Sequence, residues 1–299
     1  MVTALRSPAE ADTLSLAYAY CERLARKHYE NFPVASLLLP RAVRPHIAAI
    51  YAFARRADDF ADEPGPEPEE RLRLLDEWGA RLDQSAAVPD SNRAAAGDDF
   101  IFFALQHTIR THALPRSLFH DLLSAFRQDV MTTRYATWTD LLDYCRRSAN
   151  PVGRLVLRVA GYDDARLDER SDAVCTALQL TNFWQDLGID WQRGRLYLPL
   201  EVRDGALARD ADLDARRVSR EWQAALHVVA QRTRALFLAG RPVCDAVRGR
   251  LRWELRLTWL GGMRILERTE EAGFDVFGHR PRLSAIDAPG LLWHALRWR

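Results

Sequence analysis

Between Gln179 and Pro199 the chain reads QLTNFWQDLGIDWQRGRLYLP, and within it Gln179, Asn182, Asp186 and Asp190 stand three, four and four residues apart. At 3.6 residues per turn that spacing lines all four along one stripe of a helix. The other faces carry Leu178, Leu180, Phe183, Trp184 and Leu187. A helix apolar nearly all round is a buried helix, so the stripe is expected to point inward rather than to solvent. Two carboxylates buried without partners would cost several kcal/mol or take up protons, so something cationic should face them. The helix itself supplies no matching row of Lys or Arg, which leaves a metal ion as the leading candidate.

The pattern recurs upstream. Tyr51, Arg55, Asp58 and Asp62 are spaced four, three and four apart, among Ile47, Ile50, Phe53, Ala54, Ala57, Phe60 and Ala61. Asp at i and i+4 offers two monodentate oxygens on one face, and two such helices facing each other can hold hard cations with coordination positions left open. Mg²⁺ dehydrates reluctantly and commonly binds through a few carboxylates plus substrate phosphate. Such a site would grip a diphosphate, help it leave and stabilise the charge that develops, and aromatic and aliphatic walls suit an apolar chain and a carbocation. A single DxxxD is ordinarily a solvated face. Two of them, each on an otherwise apolar helix and each joined by further polar residues in register, point to a metal–diphosphate site.

The rest of the chain reads as helices. Spans near 13–30, 41–63, 69–84, 99–112, 116–131 and 139–160 are expected, the last kinked at Pro151 and Gly153. After a turn at 161–168 comes the helix of the second stripe, then an irregular stretch 200–215 and two long helices near 215–239 and 242–272. Residues 1–12 read as a loose leader, 13–285 as the domain, and 286–299 as a tail. The chain after the last long helix, with Arg280, Pro281 and Arg282, reads as irregular, and Arg280 and Arg282 either reach a diphosphate from it or serve the surface. No alternating strand pattern of any length occurs, so the expectation is all-α: one helical domain of roughly ten helices around a central cavity. With 299 residues, 48% of them hydrophobic, a substantial core is available. The net charge of +1 argues against gripping nucleic acid through bulk charge. Cys21, Cys145, Cys175 and Cys244 are scattered without a CxxC pair, as free thiols in a reducing cytoplasm would be. No signal peptide and no run of ~18 apolar residues is visible, so a spanning helix is not expected.

The segments YAFARRADDFAD from Tyr51 to Asp62, and Gln179 through Asn182, Asp186 and Asp190 to Arg195-Leu196-Tyr197-Leu198-Pro199, resemble the two signature segments of the squalene and phytoene synthase family. The resemblance runs from about His28 to about Leu283. It implies an isoprenoid synthase fold, three Mg²⁺ ions and prenyl diphosphate substrates. By residue match it implies that Asp58, Asp59, Asp62, Asp186 and Asp190 serve the metals. Arg55, Gln179 and Asn182 would contact diphosphate or metal, with Tyr51 beside them and Tyr197 on the substrate. Tyr144, in YCRRSANPVG from Tyr144 to Gly153, matches a family tyrosine that faces the cavity.

The departures narrow this further. Where members that join two prenyl diphosphates usually carry a Ser-rich segment after a His, this chain has HYENFPVAS from His28 to Ser36. Where they read Ala-Gly-Thr-Val-Gly it has Ala149-Asn150-Pro151-Val152-Gly153, and before the second Asp pair, where Arg is frequent, it has Gln185. These variants resemble the branch, found in bacterial hopanoid pathways, that expels diphosphate from presqualene diphosphate and lets water capture the rearranged cation. A presqualene diphosphate synthase would then be its functional partner. An added amide in an apolar cavity could hold the capturing water: Asn150 is the first candidate, Glu30 or Asn31 the second, and helix-kink chemistry beside Pro151 is the alternative for Asn150. The rival activity is condensation of two farnesyl diphosphates. A non-catalytic membrane-surface role is the remote one, suggested by Arg248, Arg250, Arg252 and Arg256 near Trp253 and Trp259. Peripheral contact with the inner face of the plasma membrane would suit an enzyme with a lipophilic product as well.

Overall fold

The computed structural model describes residues 8–27, 39–62, 65–84, 97–278 and 280–298. His28, Glu30, Asn31 and most of the presumptive leader lie outside them. Among the described residues there is no strand; an isolated parallel bridge joins Arg134 and Leu196. The chain divides into two compact units, one of residues up to Met131 with Arg154–Asp163, the other of Thr132–Gly153 with Asp164 onward.

The first unit is built on α1 (Pro8–Lys27), α2 (Arg44–Asp62), α3 (Pro68–Asp83), α4 (Gly97–His112) and α5 (Arg116–Met131). The helix α1 begins inside the stretch read as leader, so residues 8–12 are helical. Four neighbours, α1, α3, α4 and α5, take up the apolar side of α2. Phe53 has no exposure and is ringed by Trp78, Phe102 and Phe119 at centroid distances of 5.7, 6.0 and 5.5 Å. Phe102 and Phe119 meet it edge to face and Trp78 lies stacked on it, arrangements that suit the ring quadrupoles at such distances. With Ala48, Ala49, Ala52 and Ala57 also buried, the remaining side of α2 is left to Tyr51, Arg55, Asp58 and Asp62.

The second unit contains α6 (Trp138–Ser148), the first turn of α7 (Asn150–Val159), α8 (Ala165–Gln192), α9 (Leu200–Gly205), α10 (Asp210–Asp214), α11 (Arg220–Gly240), α12 (Val243–Ala246), α13 (Gly249–Glu271) and α14 (Ala288–Leu296). The organiser is α8, 28 residues long and packed by α6, α11, α12 and α13. Its start is fixed by Asp164, whose carboxylate accepts from the backbone N–H groups of Arg166 and Leu167 at 2.8 and 3.1 Å. The approach of α11 needs Gly240: a Cβ there would lie 2.7 Å from the Arg170 carbonyl oxygen.

Three expectations are corrected here. The single kinked helix over 139–160 is broken into α6 and α7 at Ala149, because Pro151 cannot donate to the preceding turn. Residues 200–215, read as irregular, contain the short helices α9 and α10. The tail is not irregular either: Pro289 sits in the first turn of α14, a position that needs no N–H donor.

Candidate active site

On α2, Arg55 reaches along its own helix to both acidic residues that follow. Its Nη1 donates to Asp58 Oδ2 at 3.2 Å and its Nη2 pairs with Asp59 Oδ1 at 2.7 Å. Arg55 Nε is buried with no hydrogen-bond partner among the described residues, a donor that an incoming oxygen ligand could use. Asp58 is half-buried and Asp62 exposed, one turn apart on the same face. Asp59 stands elsewhere on the helix, lining a cavity of about 360 Å³ with Tyr20, Leu24, Arg56 and Asp98. Burial raises the Tyr51 phenol, helped by the Asp58 and Asp59 carboxylates and opposed by Arg55. Tyr51 is therefore a neutral hydrogen-bond donor at physiological pH.

On α8, Gln179, Asp186 and Asp190 are half-buried and Asn182 is exposed. The stripe is thus open rather than sealed inside, which lets its carboxylates keep part of their hydration. The cation that meets Asp186 comes from the segment between α13 and α14. Arg280 grips it with two nitrogens, Nε on Oδ1 and Nη2 on Oδ2, the latter at 2.8 Å. Gln185, the residue standing where Arg is frequent, donates its amide to the Pro281 carbonyl and fastens the same segment. A metal ion is therefore not the sole cationic partner available to these carboxylates: guanidinium groups already reach Asp58, Asp59 and Asp186. A helix-by-helix reading can name Arg280 as a cation but cannot pair it with Asp186, 94 residues away.

Beside the stripe the second unit holds an aromatic cluster. The chain leaving α8 runs along residues 133–136, with Leu196 N–H on the Thr133 carbonyl at 2.8 Å and Leu200 N–H on the Tyr135 carbonyl at 2.9 Å. That pairing sets Tyr197 flat on Phe183, centroids 3.7 Å apart and planes within 5°. Tyr144 and Tyr135 complete the group, 6.0 and 5.8 Å from Tyr197. Sequence spacing alone gives no reason to include Tyr135.

Asn150, at the helix break, is 7% exposed and its Oδ1 accepts from Thr176 Oγ1 at 2.9 Å. Thr176 lies three residues before Gln179, so extending the polar stripe by one step would have found it. Two residues before Asn150, Ser148 Oγ is buried with no partner among the described residues.

The donor set of both stripes is carboxylate and amide oxygen, which fits a hard cation such as Mg²⁺ and not a soft one. Among the described residues no group of three or more His, Cys, Asp or Glu converges as a ready metal cage. A donor set of this kind fits a metal that arrives with substrate oxygens and keeps waters.

An all-α chain with an acidic stripe in each unit, the second beside an aromatic cluster, has the parts that the isoprenoid synthase expectation calls for. The description "Squalene/phytoene synthase" matches residues 25–287 as one stretch, and the chain belongs to that family. It is 39% identical to hydroxysqualene synthase of Zymomonas mobilis over 69% of this chain and 67% of the relative. It is 36% identical to hydroxysqualene synthase of Rhodopseudomonas palustris, over 73% and 72%. The crystal structure of squalene synthase HpnC from Alicyclobacillus acidocaldarius superposes with a TM-score of 0.78 at 40% identity, covering 90% of this chain and 97% of that one. The all-α isoprenoid synthase fold expected from the sequence is the observed one.

Proposed function

We propose that this chain converts presqualene diphosphate and water to hydroxysqualene and diphosphate. Its similarity to hydroxysqualene synthases supports the reaction, and the observation that carries the water-capture step is Asn150. An amide is costly to bury unless hydrogen-bonded, yet this one is buried and its oxygen is fixed by Thr176. The held orientation leaves the amide nitrogen as a directed donor for a water oxygen.

In this reading Asp58, Asp59 and Asp62 on α2 and Asp186 and Asp190 on α8 are the metal ligands, for three Mg²⁺ ions. Magnesium, when bound, supplies the positive charge that lets diphosphate depart as an anion. Arg55 donates to diphosphate oxygens through its unused Nε, the Gln179 and Asn182 amides add further contacts, and Tyr51 donates from its neutral phenol. Tyr144, Tyr197 and Phe183 present π faces that stabilise positive charge on the rearranging chain. Water attack breaks one O–H bond, and the departing diphosphate is the base for that proton. As a carbon–oxygen lyase of this kind the enzyme draws on a presqualene diphosphate synthase and works in the cytoplasm, in peripheral contact with the inner face of the plasma membrane. No helix among the described residues is long and apolar enough to cross a membrane.

The test is product analysis of purified enzyme with Mg²⁺, given presqualene diphosphate and, separately, farnesyl diphosphate. An alcohol from the first with the second untouched is the expected result. Accumulation of presqualene diphosphate from farnesyl diphosphate would move the chain to the condensing branch and remove the role of Asn150.

A further inference from the structure

The tail helix α14 is held at both ends and turned apolar side out. Before it, Asp287 pairs with Arg268 of α13. At its far end Ala295 is fully buried, its carbonyl accepts from Arg256 at 3.3 Å, and Trp298 Nε1 donates to Asp245 at 3.2 Å. Arg241 lies 4.4 Å from the Trp298 ring centre. Anchored in this way, the helix still leaves Leu292 51%, Trp293 52% and Leu296 66% exposed, with Ile286 89% exposed just ahead of it. Pro289, Leu292, Trp293 and Leu296 follow the i, i+3, i+4, i+7 period of one helix face. Solvent-side apolar stripes of this kind mark interaction surfaces.

The chemistry around the stripe selects its partner. Residues 288–299 contain no Asp or Glu, and Arg297 places its guanidinium 4.0 Å from the Trp293 ring centre. Arg248, just before α13, and Arg250, in its first turn, are exposed beside the helix against which α14 packs, and Arg282 is exposed upstream of α14. The nearby acids, Asp245 and Asp287, are already paired with Arg256 and Arg268. Leu and Trp with a rim of Arg and no free acid match the boundary of an anionic bilayer, where Trp seats its ring at the headgroups and Arg extends to phosphate. Nine residues span only about 14 Å, so the helix lies on a bilayer and does not cross it. The basic stretch with Trp253 and Trp259 is a poorer candidate: Trp259 is buried and Arg256 is committed to Asp245 and Ala295.

We propose that α14 is the membrane-docking element of this protein, seating Leu292, Trp293 and Leu296 in an anionic lipid surface with Arg297 on the headgroups. Binding is read without turnover, so its failure leaves the reaction assignment untouched. The test is co-sedimentation of the full chain with phosphatidylcholine vesicles with and without phosphatidylglycerol. Binding should require phosphatidylglycerol and weaken with added salt. The Leu292→Ser/Trp293→Ser variant should lower partitioning by about tenfold or more, and Leu238→Ser, an exposed position on α11, should leave it unchanged. Should the double variant misfold, Arg297→Glu must lower binding to phosphatidylglycerol vesicles. Indifference to phosphatidylglycerol, equal partitioning of the variants, or self-association abolished by the double variant would overturn the proposal, the last by assigning the stripe to a second copy of the chain.

Discussion

Replacing Thr176 by Val keeps the side-chain volume on α8 and removes the hydroxyl that donates to Asn150 Oδ1 at 2.9 Å. Both residues are buried, at 6% and 7% exposure, so water cannot readily replace the lost donor. A buried carbonyl oxygen left without its bond costs about 1–3 kcal/mol, and that is the expected loss of unfolding free energy. The functional effect follows from the same bond. Without it the Asn150 amide is no longer fixed about its last torsion, and the water it directs is held less firmly. Each kcal/mol lost in holding that water lowers its capture of the cation about fivefold against elimination or hydrocarbon formation. Denaturant unfolding gives the first quantity, and chromatographic partition of products from presqualene diphosphate gives the second. Asn150→Ala should shift product the same way, and adding Thr176→Val to it should cost less than the sum, because the two share one interaction. A Thr176→Val protein that loses stability yet keeps its share of alcohol, together with an Asn150→Ala protein of unchanged product profile, would refute the reasoning. In that case the hydrogen bond serves only to close the helix break.

Two further outcomes are expected. Asp186→Ala should lower turnover by at least about a hundredfold while circular dichroism shows the helix intact, since Ala is a good helix former; retained turnover would remove Asp186 from the metal site. Acid should destabilise the first unit's histidine cluster, where Tyr18 Oη lies 3.0 Å from His46 Nδ1 and 2.9 Å from His107 Nδ1. Burial, with His112 and His107 adding to it, pushes His46 down to about 4, and burial lowers His107 and His112 too; Arg110 and Glu10 also act on His107. The unfolded chain then takes up protons that the folded chain refuses, so stability is full above pH ~6.5 and falls as pH drops towards 4. For partly exposed His46 this amounts to about 1–2 kcal/mol. Calorimetry of His46→Gln should show a shallower slope across that window, and an unchanged slope would remove His46 as its source.

Periodicity and residue type were enough to settle the fold class and the location of the acidic residues. The stripes Tyr51–Asp62 and Gln179–Asp190 are properties of helical spacing, legible without knowing what packs where. A bend near Pro151 follows from the chemistry of proline, although its extent, a full break into α6 and α7, does not. The missed features all depend on residues far apart in the chain. Arg280 meets Asp186 across 94 positions, Thr176 meets Asn150 across 26, and Tyr197 stacks on Phe183 only because the chain after α8 pairs with residues 133–136. The tail, read as irregular, misled for the same reason. Pro289, Leu292, Trp293 and Leu296 fall on one face of a helix, but that this face turns to solvent is decided by Ala295 and Trp298 docking on α12 and α13. Local spacing determines which side chains share a face of a helix. Only tertiary packing determines what that face meets.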